Sequence, residues 1–402
     1  MNTKERVMRL IGKSCFGFGL LIELMMMVLE TSSYIIQHQT FWFRLAFLLF
    51  GVKIVLTSYS KKEYGVILFF GIIGILSYLG SGREEVIRIV AFCIALKDLD
   101  YRKILKITFY STLTGMFILI ILSLFGIMGK ISMTEVYRNG IEETRYVLGM
   151  GHPNALHCMV WVLTTLGIFL YFTSIKWYHL ISFMIINILC YMLTVSRTGF
   201  LVTTVTIIVT TFFVYASKQR NKKWVYILGI MALTACIVLA IGVSLYGVGW
   251  NRGLWNSALV DKIDFSIFSA RFRYAYYRAD LSTWHLFGDT ANDRYFDMGI
   301  VRLFYWYGII PGLLYMVLQM FLLKYSYKKK EYGIYIIVTM FAFYHIWEAH
   351  AISVFIARNY ILFIIGGVFS EMFNLQDKEE IYFWNMPQLM FKNGVNSDAK
   401  RD

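Results

Sequence analysis

The sequence predicts an all-α integral membrane protein of about twelve transmembrane helices with one large extracytoplasmic loop. Hydrophobic residues fill 58% of the 402 positions and charged residues only 16%, whereas soluble domains carry about 25% charged residues. The mean hydropathy is +0.59, and long apolar segments recur along the chain. A soluble globular class is therefore excluded.

A membrane-spanning helix needs about 20 mainly apolar residues, and about twelve segments qualify. They are 14–32, 40–58, 64–80, 84–97, 104–128, 152–173, 177–195, 197–217, 224–247, 299–323, 332–349 and 352–373. Segment 84–97 is short, so eleven helices is the alternative. The first segment follows several basic residues but lacks a small-residue cleavage site, which predicts an uncleaved helix. We expect a membrane domain over residues 1–373 and a cytoplasmic tail over 374–402.

The distribution of charge favours twelve helices. The net charge is +14, and the Lys and Arg residues lie in short runs between apolar segments. With both termini cytoplasmic, more than half of the 39 basic residues fall inside, as the positive-inside rule requires. An eleven-helix arrangement would place the run Lys218–Lys223 outside. This pattern argues against a nucleic-acid groove, and five cysteines without CxxC spacing predict neither a disulfide framework nor a zinc site.

The largest polar interruption is the loop 248–298, which we predict to be an ordered cap over a membrane-embedded site. It carries a dozen aromatic residues, six aspartates and six basic residues. Connections beyond about 15 residues are usually functional or disordered, and disordered segments are poor in aromatics. The loop should therefore be folded and functional.

Two predicted helices begin at the outer face with polar residues. His152-Pro153-Asn154 opens one of them; Pro favours the first turn, and free N–H groups at a helix start attract anions. The alternative is a plain proline-started helix. Arg197 opens the other, and a guanidinium suits bidentate phosphate contacts. The alternative for Arg197 is snorkelling to the membrane interface.

Arginines alternate with tyrosines within the large loop. Arg271, Arg273 and Arg278 flank Tyr274, and on a helix Arg271 and Arg278 would share one face. Cations for phosphate and ring faces for sugar would suit a charged saccharide ligand. The same composition also describes a helix lying at headgroup level.

The remaining candidate site residues are ionisable residues between positions 297 and 358. Asp297 and Arg302 are expected at or just under the outer surface, where Asp297 could accept a proton from a sugar hydroxyl or pair with an arginine. Glu348 and His350 are predicted to end the eleventh helix, with Arg358 about two turns into the twelfth. Ionisable residues at that depth are usually partnered and functional, so Glu348 and Arg358 could pair with each other.

In combination, these motifs resemble the Wzy-type polysaccharide polymerases of the O-antigen ligase/polymerase superfamily. The resemblance covers roughly residues 145–370. Its motifs are GHPN at 151–154, SRTG at 196–199, the arginine-led aromatic stretch from 271, DMGIVRLFYWYGIIPG at 297–312, and Glu348 followed by Asn359. The family usually has Asn where Met298 stands, which weakens any role for that position.

The resemblance implies a glycosyltransferase C-type fold in the bacterial cytoplasmic membrane. It implies a metal-independent enzyme without a cofactor that polymerises undecaprenyl-diphosphate-linked oligosaccharide repeats into capsular, O-antigen or exopolysaccharide chains, with inversion at the anomeric carbon. The lipid bilayer is the expected surrounding, and a flippase and a chain-length regulator are candidate partner proteins.

Roles follow for the candidate residues. We expect Arg197 and Arg271 to hold the diphosphate, since developing charge on a leaving group requires fixed cations. The further candidates for that role are Arg273, Arg278, His152, Asn154, Arg302 and Arg358. Asp297 is the expected base, with Glu348 and His350 in reserve. A ligase with a similar site, or a flippase for the same lipid, remains an alternative; a flippase would usually show an internal repeat and short outer loops.

Overall fold

A computed structural model describes residues 3–32, 34–136, 142–268, 270–376 and 380–382 of the chain. Within these ranges, eight helices are long and apolar enough to cross a membrane. With helices numbered along the chain, they are α1 (Thr3–Thr31), α3 (Lys61–Ser81), α5 (Tyr101–Leu124), α6 (Pro153–Tyr171), α7 (Trp177–Thr194), α8 (Arg197–Tyr215), α10 (Lys223–Asn251) and α14 (Ile309–Lys329). The prediction of a helical membrane protein is confirmed.

Five shorter helices complete the bundle. They are α2 (Gln39–Val55), α4 (Glu85–Ala95), α13 (Gly299–Tyr307), α15 (Tyr332–Tyr344) and α16 (Tyr360–Met372). Each of the twelve segments predicted from the sequence contains a helix, but these five are shorter than the roughly 20 residues that a straight crossing needs. The number of twelve crossings stays a prediction.

The remaining elements lie in the connections. The short helices are α9 (Ser217–Arg220), α11 (Ala258–Ile263) and α12 (Arg271–Arg278), and the strands are β1 (Ser58–Tyr59), β2 (Ser132–Val136), β3 (Glu142–Tyr146) and β4 (Ile381–Tyr382). Strands β2 and β3 form an antiparallel hairpin with Ser132 opposite Tyr146. Strand β4 pairs with β1, and the tail beyond residue 382 lies outside the described residues.

Contacts between connections define two ends of the bundle. At one end, here called the basic face, Arg102 pairs with Glu331 at 2.5 Å and Lys97 pairs with Glu63 at 2.6 Å. At the other end, here called the loop face, the Gly151 amide donates to the carbonyl of Thr31. The large loop and the starts of α6 and α8 lie together at the loop face, and the expectation that this face is the outer one stays a prediction.

The predicted tenth segment is divided into α13 and α14 at Gly308. Gly308 has φ +97°, and a side chain there would collide with the backbone of Phe287 and Gly288. The break frees the first amides of α14, and those of Ile309 and Ile310 donate to carbonyls in the large loop at 2.9 and 3.0 Å. The loop thus caps a membrane helix directly. Gly308 and Pro311 are residue types that interrupt or begin helices, which agrees with this break.

The eleventh and twelfth predicted segments are shorter than expected. Helix α15 ends at Tyr344, and a non-helical stretch containing a 3₁₀ turn at Ile356–Arg358 leads to α16. We call residues 345–359 the inner loop. Glu348 and His350 therefore lie beyond a helix end, and Arg358 lies before α16, not two turns within it. Trp161 of α6, which is fully buried, packs on Phe341 and Tyr344 near the end of α15.

Candidate functional site

The site is built around α12, whose start is held by Asp264. The buried carboxylate of Asp264 accepts from the amides of Phe272 and Arg273 at 2.9 and 2.8 Å. These amides are among those that a helix leaves without intrahelical partners. Asp264 lies outside α12 and the turn before the helix passes through Ala270 at φ +64°, so sequence periodicity alone does not identify this cap.

Arg271, the first residue of α12, joins two carboxylates from distant parts of the chain. Its Nη2 donates to Glu348 Oε1 in the inner loop, and its Nε lies 3.5 Å from Asp297 Oδ2. The Arg271 side chain is 9% exposed, that of Glu348 18% and that of Asp297 48%. The Nη1 group of Arg271 has no hydrogen-bond partner within the described ranges. A fixed guanidinium with a free donor thus lies beside two carboxylates of different exposure.

The two carboxylates differ in what surrounds them. Burial raises the pKa of Glu348 from its ordinary 4.5 to about 7, although the Arg271 guanidinium acts in the opposite direction. A carboxylate with a pKa near 7 can exchange a proton at neutral pH, which is the property of a general base. Asp297 is more open to a ligand. The contact with Arg271 shows the predicted pairing of Asp297 with an arginine. The predicted role of Asp297 as a base stays a prediction.

Arg302 holds the inner loop from beneath. It is fully buried, and its Nη2 donates to the carbonyls of Ala349 and Ile352 at 2.6 and 2.5 Å. Its guanidinium also lies 4.2 Å from the ring centre of Tyr295 and 4.5 Å from that of Trp306. The expected position at or just under the outer surface stays a prediction, but the chain encloses Arg302 and its Nη2 is bound to loop carbonyls, which leaves its predicted contact with a diphosphate without geometric support. Its Nε and Nη1 atoms have no hydrogen-bond partner among the described residues. It positions the segment that carries Glu348.

Gly299 allows this segment to approach α13 closely. A Cβ at Gly299 would lie 2.9 Å from the carbonyl oxygen of Glu348 and 3.0 Å from the Cα of Ala349. The amide of Ile300 donates to the carbonyl of His345 at 3.1 Å. The sequence after Asp297 thus folds directly against the inner loop, which brings Asp297 and Glu348 to the same arginine.

The two histidines of the inner loop lie in surroundings that disfavour their charged form. Burial lowers the pKa of His345 to about 3 and that of His350 well below its usual range, and the charge of Arg302 adds to both effects. The Nε2 atom of each is buried without a hydrogen-bond partner within the described part of the chain. No contact joins His350 to the Arg271 cluster there, so its predicted reserve role as a base is left without geometric support.

Arg273 and Arg278 lie on the outer sides of α12. Arg273 is exposed, with its guanidinium 6.0 Å from the Trp250 ring centre. Arg278 donates to the carbonyl of Tyr295, and its guanidinium lies 5.3 Å from the Tyr274 ring centre. Residues 271–278 do form a helix, which is the condition under which the sequence placed Arg271 and Arg278 on one face. Only Arg271 of its three arginines faces the carboxylates.

The two polar helix starts do not contact this cluster. The His152 ring accepts from the Asn154 amide at 3.1 Å and so caps α6. Arg197 begins α8, is exposed, and makes no hydrogen bond or ion pair with any described residue. The predicted diphosphate contacts of His152, Asn154 and Arg197 stay predictions.

Gly199 in the same motif has a packing role. A Cβ there would lie 2.6 Å from the ring of His157, which is fully buried. The His157 ring contacts Thr194 Oγ1 at 3.1 Å and Asn187 Oδ1 at 2.8 Å. This network joins α6, α7 and α8, and sequence reasoning did not single out His157 or Asn187.

Arg358 pairs with a residue far away in the sequence. Its partner is Glu30 at the end of α1, and the pairing of Arg358 with Glu348 that the sequence suggested is wrong, because Glu348 is bound to Arg271. Asn359 contacts the hydroxyl of Tyr315 on α14. Both residues anchor the inner loop to the bundle.

Further charged residues from the first hundred positions reach the loop face, and the sequence motifs did not include them. Arg83 donates to the Asn292 carbonyl at 3.1 Å, and Asn292 donates to the buried carbonyl of Tyr305 at 2.8 Å. On α4, the buried Arg88 pairs with Glu23 at 2.6 Å and donates to the Val354 carbonyl at 3.1 Å. A partner 65 positions away leaves no local sequence pattern. An arginine within an apolar helix nevertheless indicates that a partner exists.

Comparisons of the chain with protein-family models, with curated proteins and with solved structures gave no match. In the described ranges, no group of three or more His, Cys, Asp or Glu side chains is arranged to hold a metal ion. The candidate site therefore consists of Arg271, the carboxylates of Asp297 and Glu348, and the inner loop that Arg302 positions.

Proposed function

We propose that this protein is a Wzy-type polymerase that joins undecaprenyl-diphosphate-linked oligosaccharide repeats at the loop face of a bacterial cytoplasmic membrane. The observation that carries the proposal is the Arg271 cluster, in which the large loop supplies a cation to two carboxylates from separate segments. Such a cluster contains the two groups that glycosyl transfer from a lipid diphosphate needs, namely a fixed cation and a base.

The proposed reaction is a single displacement. A hydroxyl of the incoming repeat attacks the anomeric carbon of the growing chain, a new glycosidic C–O bond forms, and the C–O bond to the lipid diphosphate breaks. Glu348 takes the hydroxyl proton, since its pKa of about 7 suits a base at neutral pH. The electron pair of the broken bond stays with the diphosphate.

Arg271 would stabilise the charge that develops on the leaving diphosphate. Its unpartnered Nη1 can donate to a phosphate oxygen while Nη2 stays on Glu348, and donors fixed before the reaction require no reorganisation. Arg197 is the second proposed contact, because its guanidinium lies at the start of a helix on the same face and has no ion pair or hydrogen bond with the described residues. Asp297 keeps Arg271 oriented and is the alternative base.

The test is elongation by the purified full chain in proteoliposomes that contain a single-repeat undecaprenyl-diphosphate oligosaccharide. We expect a ladder of longer sugar chains on the carrier lipid. Glu348→Gln should lower the elongation rate by a factor of about 100 or more, since general base catalysis contributes roughly 10²–10⁴-fold. Arg252→Ala, which removes an exposed arginine of the same loop outside the cluster, should elongate as the unmodified chain does.

Two outcomes would contradict the proposal. Transfer of complete chains to an added acceptor without elongation would indicate a ligase. Movement of the lipid-linked repeat across the bilayer without any new glycosidic bond would indicate a transporter.

A further inference from the structure

The basic face contains a cavity that the proposed reaction does not use. It has a volume of about 500 Å³, within the roughly 300–1,000 Å³ typical of ligand sites. The ends of α5, α6, α8 and α15 surround it, together with α9. Its charged lining residues are Arg102, Arg220, Lys330 and Glu331. One carboxylate faces three cations, so two positive charges are uncompensated.

Arg220 is the best positioned of these cations. Its Nη1 donates to the carbonyl of Phe213 at 2.7 Å, and its guanidinium lies 4.6 Å from the ring centre of Tyr332. Tyr332 is itself fixed by a hydrogen bond from its hydroxyl to Asn221 at 2.6 Å. The Nε atom of Arg220 is buried and has no partner within the described residues. A guanidinium fixed by stacking, with an unused donor beside a cavity, fits a phosphate group.

The other charges are arranged around Arg220. Arg102 is held by Glu331 at 2.5 Å, and Glu331 is anchored through its backbone to Ser326. Lys330 follows α14 in a left-handed conformation and is exposed. Arg102 is therefore largely neutralised, and Arg220 and Lys330 supply the net positive charge.

An apolar groove adjoins the cavity. This groove has a volume of about 550 Å³, is lined by α5, α6 and α7, and shares Ile175 with the basic cavity. Most of its lining is aliphatic or aromatic, including Phe109, Leu113 and Phe183. A polar cavity at the end of membrane helices with an apolar groove beside it suits an amphiphile.

We propose that the basic cavity binds the phosphate headgroup of an anionic phospholipid, with an acyl chain in the adjoining groove. Basic pockets between membrane helices are known to bind anionic headgroups. A zwitterionic lipid would add its own cation and gain less from the uncompensated charge. The site lies at the face opposite Arg271, and it does not rest on the proposed function.

The experiment is native mass spectrometry of the purified full chain in detergent, titrated separately with phosphatidylglycerol, phosphatidylcholine and soluble glycerol 3-phosphate. We expect specific binding of phosphatidylglycerol and none of phosphatidylcholine. Arg220→Gln should weaken phosphatidylglycerol binding by about tenfold or more, since it removes a charged hydrogen-bond donor from the phosphate. Lys330→Gln alters an exposed side chain and should weaken binding without affecting folding.

The matched control is Lys223→Gln, which removes one charge from the same face outside the cavity. It should bind phosphatidylglycerol as the unmodified chain does. If Lys223→Gln and Lys330→Gln weaken phosphatidylglycerol binding equally, the lipid is attracted only by general surface charge, and the proposed site is overturned. Arg220-dependent binding of glycerol 3-phosphate without phosphatidylglycerol binding would support the phosphate site but overturn the lipid as its ligand.

Discussion

Replacing Arg271 by alanine removes the cation that compensates Glu348. The two side chains are only 9% and 18% exposed, and breaking a buried pair costs about 3–5 kcal/mol when one charge is left uncompensated. Protonation of Glu348 removes the uncompensated charge and so reduces this loss of stability, and it occurs readily because the pKa of Glu348 is already about 7 in the intact cluster. The loss of stability should therefore depend on pH.

At pH 8 Glu348 is ionised in the intact protein, and we expect Arg271→Ala to lower the free energy of unfolding by about 3 kcal/mol. At pH 6 the carboxyl is already mostly protonated, and the loss should be about 1 kcal/mol, the value of an ordinary hydrogen bond. Adding Glu348→Gln to Arg271→Ala should recover about 1–2 kcal/mol at pH 8, within the range of coupling seen for residues in contact.

The assay is reversible denaturation of the unmodified chain, Arg271→Ala, Glu348→Gln and the double variant in detergent at pH 6 and pH 8. Arg273→Ala is the matched control, because Arg273 lies in the same helix, is exposed and has no ion pair in the described structure; it should change stability by no more than about 0.5 kcal/mol. Equal losses for Arg271→Ala at both pH values, or no recovery in the double variant, would refute the assignment of Arg271 as the partner of an ionised Glu348.

Three further predictions follow from the same geometry. Elongation should rise with pH through about 7 as Glu348 loses its proton; this limb should persist in Asp297→Asn, and finding that Asp297→Asn abolishes it would make Asp297 the base. Gly308→Ala should lower the free energy of unfolding by at least about 1–3 kcal/mol, because Gly308 has a φ of +97°. Gly65→Ala has open space around it and should be neutral or stabilising. Equal melting temperatures of these two variants would contradict the assignment of strain to the break at Gly308. Arg302→Met should cost about 2–4 kcal/mol by leaving two buried carbonyls unpaired, measured by the same denaturation, and a loss below about 0.5 kcal/mol would contradict its role in holding the inner loop.

The helices could be predicted from the sequence, because long apolar segments in a membrane must satisfy their backbone groups internally. The break between α13 and α14 also agrees with local sequence, because Gly308 lies at the break and Pro311 lies in the first turn of α14. The end of α15 could not be predicted in this way. Ile346, Trp347 and Ala349 continue the apolar pattern, and contacts with Arg302 and Gly299 decide that the chain leaves the helix.

The residues of the candidate site could be predicted only in part from the sequence. Arg271, Asp297 and Glu348 were selected as ionisable residues expected at one face, but their mutual contact depends on three segments that span 77 positions. Arg302 had the same sequence signature as a ligand-binding arginine, and its full burial became clear only from packing. Pairs such as Glu23 with Arg88 leave no local spacing to recognise, because each partner lies on a separate helix.

The central claim is that this chain elongates lipid-linked sugars, and the most direct measurement is deletion of its gene followed by analysis of the undecaprenyl-linked sugars and their leaflet. We predict that single repeats accumulate on the outer leaflet and that long chains are missing. The unmodified gene should restore the long chains, whereas Glu348→Gln at equal membrane abundance should not. Repeats trapped on the inner leaflet, or long chains accumulating on the carrier lipid, would contradict it.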